Sequence, residues 1–204
     1  MTGSPLEPTG PVPAGRDPDA YDRLRRRVLW SLPTGLFVVG SRAGERRNLM
    51  TANWVMQVAI EPKLVAVSIE RGSVTRELIE QGGGFSVSVL SRSDRTVVRR
   101  FVKPVEDVVL EGGVAVSMQG QPVHEVAGGL PRLASAQSWL ACEVRRVVEW
   151  DGTGAGAPAS HVLVVGEVVD AGEAPSDGVD GDGGPEPGAG GVLRMEDTRM
   201  NYGG

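Results

Sequence analysis

The chain has 204 residues, 40% hydrophobic, 23% charged and 4% aromatic, with a formal net charge of −5. That length suits one domain able to bury about 70% of the surface its unfolded chain would expose. A single Cys142 excludes an internal disulfide, two His with one Cys are too few for the usual four-ligand zinc site, and no apolar run reaches 18 residues, so we expect a soluble cytoplasmic protein with no metal and no membrane span.

Residues 1–17 carry four Pro and three Gly, which predicts a disordered tail over 1–18, with one domain over 19–204. Tyr21, Leu24, Val28 and Leu32 then recur at helical spacing until Pro33. Arg23, Arg25, Arg26 and Arg27 lie mostly off that stripe. They read as a solvated helix face, and no nucleic-acid partner is expected. Beyond Pro33 the pattern changes to short apolar or alternating runs at 36–39, 64–69, 85–90, 114–118, 133–148 and 161–169, all predicted strands. Two short helices interrupt them, Ser73–Gln81 before three glycines and Ser93–Val102 before Pro104, with Ser93 as the expected N-cap. The connections are too short for repeated parallel crossovers. The class is mainly β, a small antiparallel barrel with a few short helices.

The acidity is local. Residues 171–191 contain Glu173, Asp177, Asp180, Asp182 and Glu186, eight Gly, three Pro and no Lys or Arg, and without them acidic and basic residues balance at 21 each. This stretch is predicted to be a flexible insertion, since it has too little apolar surface to offset its ordering entropy. The body is neutral, so long-range attraction does not select a ligand.

Among motifs, Gly152, Gly154 and Ala157 match the dinucleotide fingerprint G-x-G-x-x-A, but Pro158 and another strand follow where that fingerprint needs a helix, so a hairpin loop is the better reading. The segment Asn48-Leu49-Met50-Thr51-Ala52-Asn53-Trp54 offers hydroxyl, amide and backbone donors suited to the edge of a planar heteroaromatic ligand, or is a polar turn. In Ser68-Ile69-Glu70-Arg71-Gly72-Ser73-Val74-Thr75-Arg76 a strand runs into a helix start, where Ser73, Thr75 and Arg71 or Arg76 could hold a phosphate, or Ser73 could cap an unliganded helix.

With P-T-G at Pro33, N-L-M-T-A-N from Asn48, E-P-K-L-V-A-V from Glu61, S-V-T-R-E-L-I from Ser73, G-G-F-S-V-S-V-L from Gly83 and H-V-L-V-V-G-E-V from His161, the chain resembles the flavin reductase-like proteins of the FMN-binding split-barrel class over about 32–169. The resemblance implies a Greek-key-like split β-barrel and a homodimer. It implies binding of FMN or FAD, reduced by NADH or NADPH and passed to a monooxygenase partner or to ferric iron. Thr51, Ala52, Asn53 and Trp54 would lie along the isoalloxazine and ribityl chain, with Ser68 flanking the ring. Ser73 and Thr75 would hold the phosphate, while Phe85 and Ser88 would line the far wall. His161 would stand beside the nicotinamide, with Arg194 or Tyr202 approaching from the C-terminal segment. Two positions depart from the family pattern: Ala159-Ser160 replaces the usual Gly-Asp, and Ser88 replaces an Asn. A flavin-binding protein with little turnover and a deazaflavin-using reductase on the same barrel are the alternatives. Such chemistry needs no strong acid, base or nucleophile from the protein, because the flavin does the electronic work.

Overall fold

The computed structural model describes residues 11–151, 158–174 and 191–198. These fall into two compact units, one ending at Pro33 and one spanning Thr34–Thr198. In the first, helix α1 (Pro18–Trp30) begins at Asp17, whose carboxylate accepts the Ala20 N–H, with Pro18 in the first turn. Asp22 pairs with Arg25 at 2.8 Å and Arg26 at 3.0 Å, so this part of the arginine run is spent on the helix's own face.

The second unit is mainly β, as its alternating patterns predict. Its larger sheet holds β1 (Phe37–Ala43), β2 (Arg46–Ala52), β3 (Val55–Ala59), β4 (Leu64–Glu70), β5 (Gly84–Val89), β10 (Ser138–Val148) and β11 (His161–Glu173). Their order is β2-β1-β5-β10-β11-β4-β3, antiparallel at every step. A smaller sheet runs β6 (Val108–Glu111), β7 (Val114–Met118), β8 (Gln121–Val126), β9 (Leu130–Leu133) in sequence order. Helix α2 (Val74–Gly82) joins β4 to β5. Ser73 is its N-cap and Gly83, at φ 73°, closes it in the left-handed conformation that glycine adopts without a Cβ penalty.

The two outermost strands of the large sheet are β2 and β3, yet only Asn53 and Trp54 separate Ala52 from Val55. Laid flat, seven strands would set these edges about 28 Å apart, whereas three residues of extended chain span about 10 Å. The sheet must therefore curl until its edges meet. Its inner face agrees: Val39, Ala52, Val67, Ile69, Phe85, Val87, Cys142, Val162 and Val164 form one buried cluster, with Val55 and Ile79 of α2 packed into it. Burial also pushes the Cys142 thiol up to about 12, so it behaves as an unreactive apolar group. Gly166 is part of the same packing, because a Cβ there would meet the Phe85 ring at 2.5 Å.

Four expectations change. The Asn48–Trp54 segment is not a turn; its residues up to Ala52 are strand, followed by the two-residue link. The expected helix at 93–102 is instead two 3-10 turns, Arg92–Asp94 and Val97–Phe101, and Ser91 rather than Ser93 is the cap, accepting the Ser93 N–H. Thr96, Val97 and Val98 are β-branched and disfavour a continuous helix. The expected strand at 133–148 breaks after Leu133 and resumes at Ser138, where the chain leaves one sheet for the other. Finally, the insertion begins later than 171, because Ser138 pairs with Glu173 and the Ala174 N–H donates to the Gln137 carbonyl at 2.9 Å. The rest of the predicted insertion, 175–190, lies outside the described residues, as do residues 1–10 of the predicted tail.

The chain after that stretch returns to the fold. Leu193 is fully buried, its N–H donating to Leu90 and its carbonyl accepting from Leu36, while Met195 N–H reaches Thr34 and Arg92 pairs with Asp197.

Candidate functional site

The link that ties the sheet's edges carries Trp54, whose carbonyl accepts the Ser68 N–H at 2.9 Å across the β3–β4 ladder. On the other side of β4, His161 is opposite Glu70 and Leu163 opposite Ser68. Strand alternation puts Trp54, Ser68, Glu70 and His161 on the outer face of the curled sheet. Trp54 and His161 meet edge to face, centroids 5.0 Å apart and planes at 71°. Trp54 remains 37% exposed, and below it Met56 and Ile60 are exposed at 64% and 81%. The result is an apolar, open, ring-lined surface with a hydroxyl and an imidazole at its edge.

Burial lowers the His161 pKa from its ordinary value, and Glu70 partly opposes this by favouring the cation. The imidazole Nδ1 is within 2.8 Å of the Ser160 hydroxyl. A titration followed by NMR is expected to give His161 a pKa below that of a free histidine. Trp54→Ala, by admitting water, is expected to move it up, and Glu70→Gln to move it further down. The linked stability follows from the sign: above the unfolded-state value of about 6.5 both states are neutral. Stability then falls as pH drops from there through the lowered folded value, because the unfolded chain binds the proton first. A folded-state titration above the ordinary value would contradict this environment.

The residues Ala159-Ser160, which depart from the family pattern, serve through their backbone. The Arg71 N–H donates to the Ser160 carbonyl at 2.8 Å and Arg71 Nε to the Ala159 carbonyl at 3.1 Å, fixing the approach to His161 whatever side chains stand there. The fingerprint-like Gly152, Gly154 and Ala157 lie outside the described residues, but β10 and β11 on either side are antiparallel neighbours. Among the described residues the strand β11 follows Pro158, where the dinucleotide fingerprint needs a helix.

A second group gathers at the start of α2. Ser73 Oγ accepts the Arg76 N–H, leaving the N–H groups of Val74 and Thr75 without a hydrogen bond among the described residues. Arg71 and Arg76 flank this turn. Both reach one carboxylate, Glu149 at the end of β10, at 2.5 and 2.6 Å. Arg76 also pairs with Glu80 at 2.7 Å.

Several expected site side chains point elsewhere. Thr75 is fully buried and its hydroxyl accepts from Asn48 Nδ2 at 2.9 Å, while Asn48 Oδ1 takes the Val105 N–H; only the Thr75 backbone N–H is left for a ligand. Thr51 is buried and donates to the Val98 carbonyl at 2.5 Å, and Ala52 belongs to the core, so at these two positions it is the backbone, not the side chain, that a ligand could meet. Phe85 and Ser88 cannot line a wall. Phe85 fills the interior of the curled sheet against Gly166, and Ser88 Oγ accepts the Leu133 N–H at 3.1 Å, joining the two sheets. The structure thus brings together Trp54, Ser68 and His161 as one surface and Ser73 with Arg71 and Arg76 as another, while Asn53 is placed only as the first residue of the two-residue link. Arg194 lies on the docked C-terminal segment opposite Gly35, its guanidinium on Glu196; Tyr202 lies outside the described residues. Sequence reasoning missed Glu149 and Glu70, because neither carries a local motif and each acts across a strand pairing.

Comparison with known proteins converges on one family. The flavin reductase like domain matches residues 29–184. An NADH-dependent FAD reductase of Streptomyces globisporus is 31% identical over 157 residues, covering 75% of this chain and 78% of that protein. An NADH-dependent flavin reductase of Pseudomonas fluorescens is 30% identical over 61% of this chain and 67% of its own length. A high molecular weight rubredoxin of Moorella thermoacetica is also 30% identical, and there the chain spans 58% of the relative's length. Among solved structures, the flavin reductase PheA2 superposes with a TM-score of 0.58 at 29% identity, covering 75% of this chain and 88% of that one. The styrene monooxygenase flavin reductase of Pseudomonas putida S12 gives 0.57 at 26%, covering 74% and 87%.

Proposed function

The chain belongs to the flavin reductase-like family, and from that premise we propose that it is an NAD(P)H-dependent flavin reductase, transferring hydride from the nicotinamide to FMN or FAD. The observation that carries the reading is the Trp54–His161 pair on an open apolar face beside Ser68. Flat ring systems need such a surface, and a mostly neutral imidazole adds no charge against the nicotinamide. The donor set also suits a flavin: the Ser68 hydroxyl for its ring edge, and Ser73, the Val74 and Thr75 N–H groups, Arg71 and Arg76 for its phosphate. Bound flavin supplies the hydride-accepting centre. The protein's part is to hold the two rings at contact distance and keep water from between them.

The relatives that are components of two-component oxygenases support a monooxygenase as recipient of the reduced flavin, with ferric iron as the other acceptor. A homodimer is supported by the row Trp54, Met56 and Ile60, exposed along an edge strand that a second copy would cover. We read the curled seven-stranded sheet as the family's split barrel, and the cytoplasm as its place, since its one cysteine is buried and unpaired. The test is to purify the protein, titrate it with FMN and FAD, and follow NADH and NADPH oxidation with and without added flavin. Flavin-dependent oxidation is expected. No flavin binding at micromolar concentration would falsify the proposal, and binding without turnover would favour a flavin carrier.

A further inference from the structure

The arginines at the start of α2 do not wait free for an anion. Glu149 sends one carboxylate oxygen to Arg71 Nη1 and the other to Arg76 Nη2, occupying both forks as a phosphate would. With Glu80 on Arg76 as well, two guanidinium groups face two carboxylates, and the cluster is neutral. Yet neither arginine depends on Glu149 for its placement. Arg71 is also held by Nε on the Ala159 carbonyl and Nη2 on the Trp150 carbonyl, and Arg76 by Nη1 on the Arg71 carbonyl and Nε on Glu80. The pair is pre-set by other contacts, with Glu149, about one-third exposed, as the member that can leave.

We propose that Glu149 is a built-in competitor for the flavin phosphate: its carboxylate sits on Arg71 and Arg76 when the site is empty, must be displaced when the phosphate binds, and speeds departure by returning. This rests on the reading of the α2 N-terminus as the phosphate subsite. A reductase that delivers its product as reduced flavin must let it go, and an internal anion of the same geometry weakens retention without removing the donors. The carboxylate is supplied by the residue that follows β10, and Arg71 is held by the Trp150 and Ala159 carbonyls, so occupancy at α2 is also coupled to these two positions.

The test uses the full chain and measures dissociation constants for FMN and for riboflavin, which lacks the phosphate, by flavin fluorescence quenching. Glu149→Gln keeps the shape and removes the charge. It is expected to tighten FMN about tenfold, with a steeper salt dependence, and to leave riboflavin unchanged. Unchanged or weaker FMN binding in Glu149→Gln overturns the proposal, since Glu149 would then be inert or would be organising the arginines. The subsite itself is checked separately with Arg76→Gln. If the native protein prefers FMN to riboflavin and Arg76→Gln abolishes the preference, the subsite stands even where Glu149→Gln fails. If FMN and riboflavin bind equally in both, the subsite is wrong and the competitor falls with it. Should Glu149→Gln not fold, Glu149→Asp, too short to span both forks, is expected to tighten FMN by a smaller factor, and failure to do so counts against the proposal equally.

Discussion

Glu125→Ala is expected to cost about 3–5 kcal/mol of stability, seen as a large fall in the denaturant midpoint with little change in slope. Glu125 stands on β8, in the small sheet, and its carboxylate meets Arg47 Nε of β2 at 2.5 Å and Arg42 Nη1 of β1 at 3.1 Å, while also accepting the Ala115 N–H of β7. The Arg47 side chain is only 2% exposed. Its remaining donors go to the Glu45 and Gly113 carbonyls, so removing the carboxylate strands a guanidinium charge out of water. Loss of both partners should do less harm than loss of one: Glu125→Ala with Arg47→Met is expected to recover part of the loss. A midpoint for Glu125→Ala within experimental error of the native one would show that the two sheets do not rely on this cluster.

Gly40→Ala is expected to be comparably damaging for a different reason. Gly40 lies on β1 where the small sheet crosses it, and a Cβ would overlap the Pro131 carbonyl oxygen of β9 and the Ser86 hydroxyl, which themselves share a hydrogen bond. Backbone cannot swing aside as a flexible side chain can, so the sheets must separate locally. A cost of about 3 kcal/mol or more is expected, with little soluble protein at growth temperature. Thermal unfolding of any material recovered measures it, and a melting temperature within a degree of the native protein would remove the crossing as a constraint.

These two positions also mark where the sequence stopped being legible. Strands such as β4, β5 and β11 stood out because apolar residues on one face had to alternate or run continuously to reach a core. The helix α2 was equally plain from Ser73 and the glycines after it. Of the small sheet the sequence showed Val114–Met118 but neither neighbour: Val108–Glu111 and Gln121–Val126 are short, half-exposed strands, and Glu125 meets Arg42 and Arg47 some 80 positions away. The same distance hides Glu149. The candidate site was legible in part, since Trp54, Ser68 and His161 lie in recognisable segments, and strand register then brings them to one face. Phe85, Ser88, Thr51 and Thr75 misled because each side chain turns into the fold, away from the candidate site. A one-residue alternation decides whether a hydroxyl faces ligand or core, and Thr75 and Ser88 turned inward to satisfy Asn48 and Leu133.

The two-residue link between Ala52 and Val55 makes parity a property of the whole ring. Adding or deleting one residue there would exchange the two faces of β3, carrying Met56 toward the interior and Val55 out, and would turn the Trp54 indole away from His161. Loops elsewhere in the chain can drift in length over generations with small penalty. Here only changes of two, or a compensating bulge, keep inside and outside in step, so the link should be among the segments most resistant to insertion and deletion in the lineage of this protein.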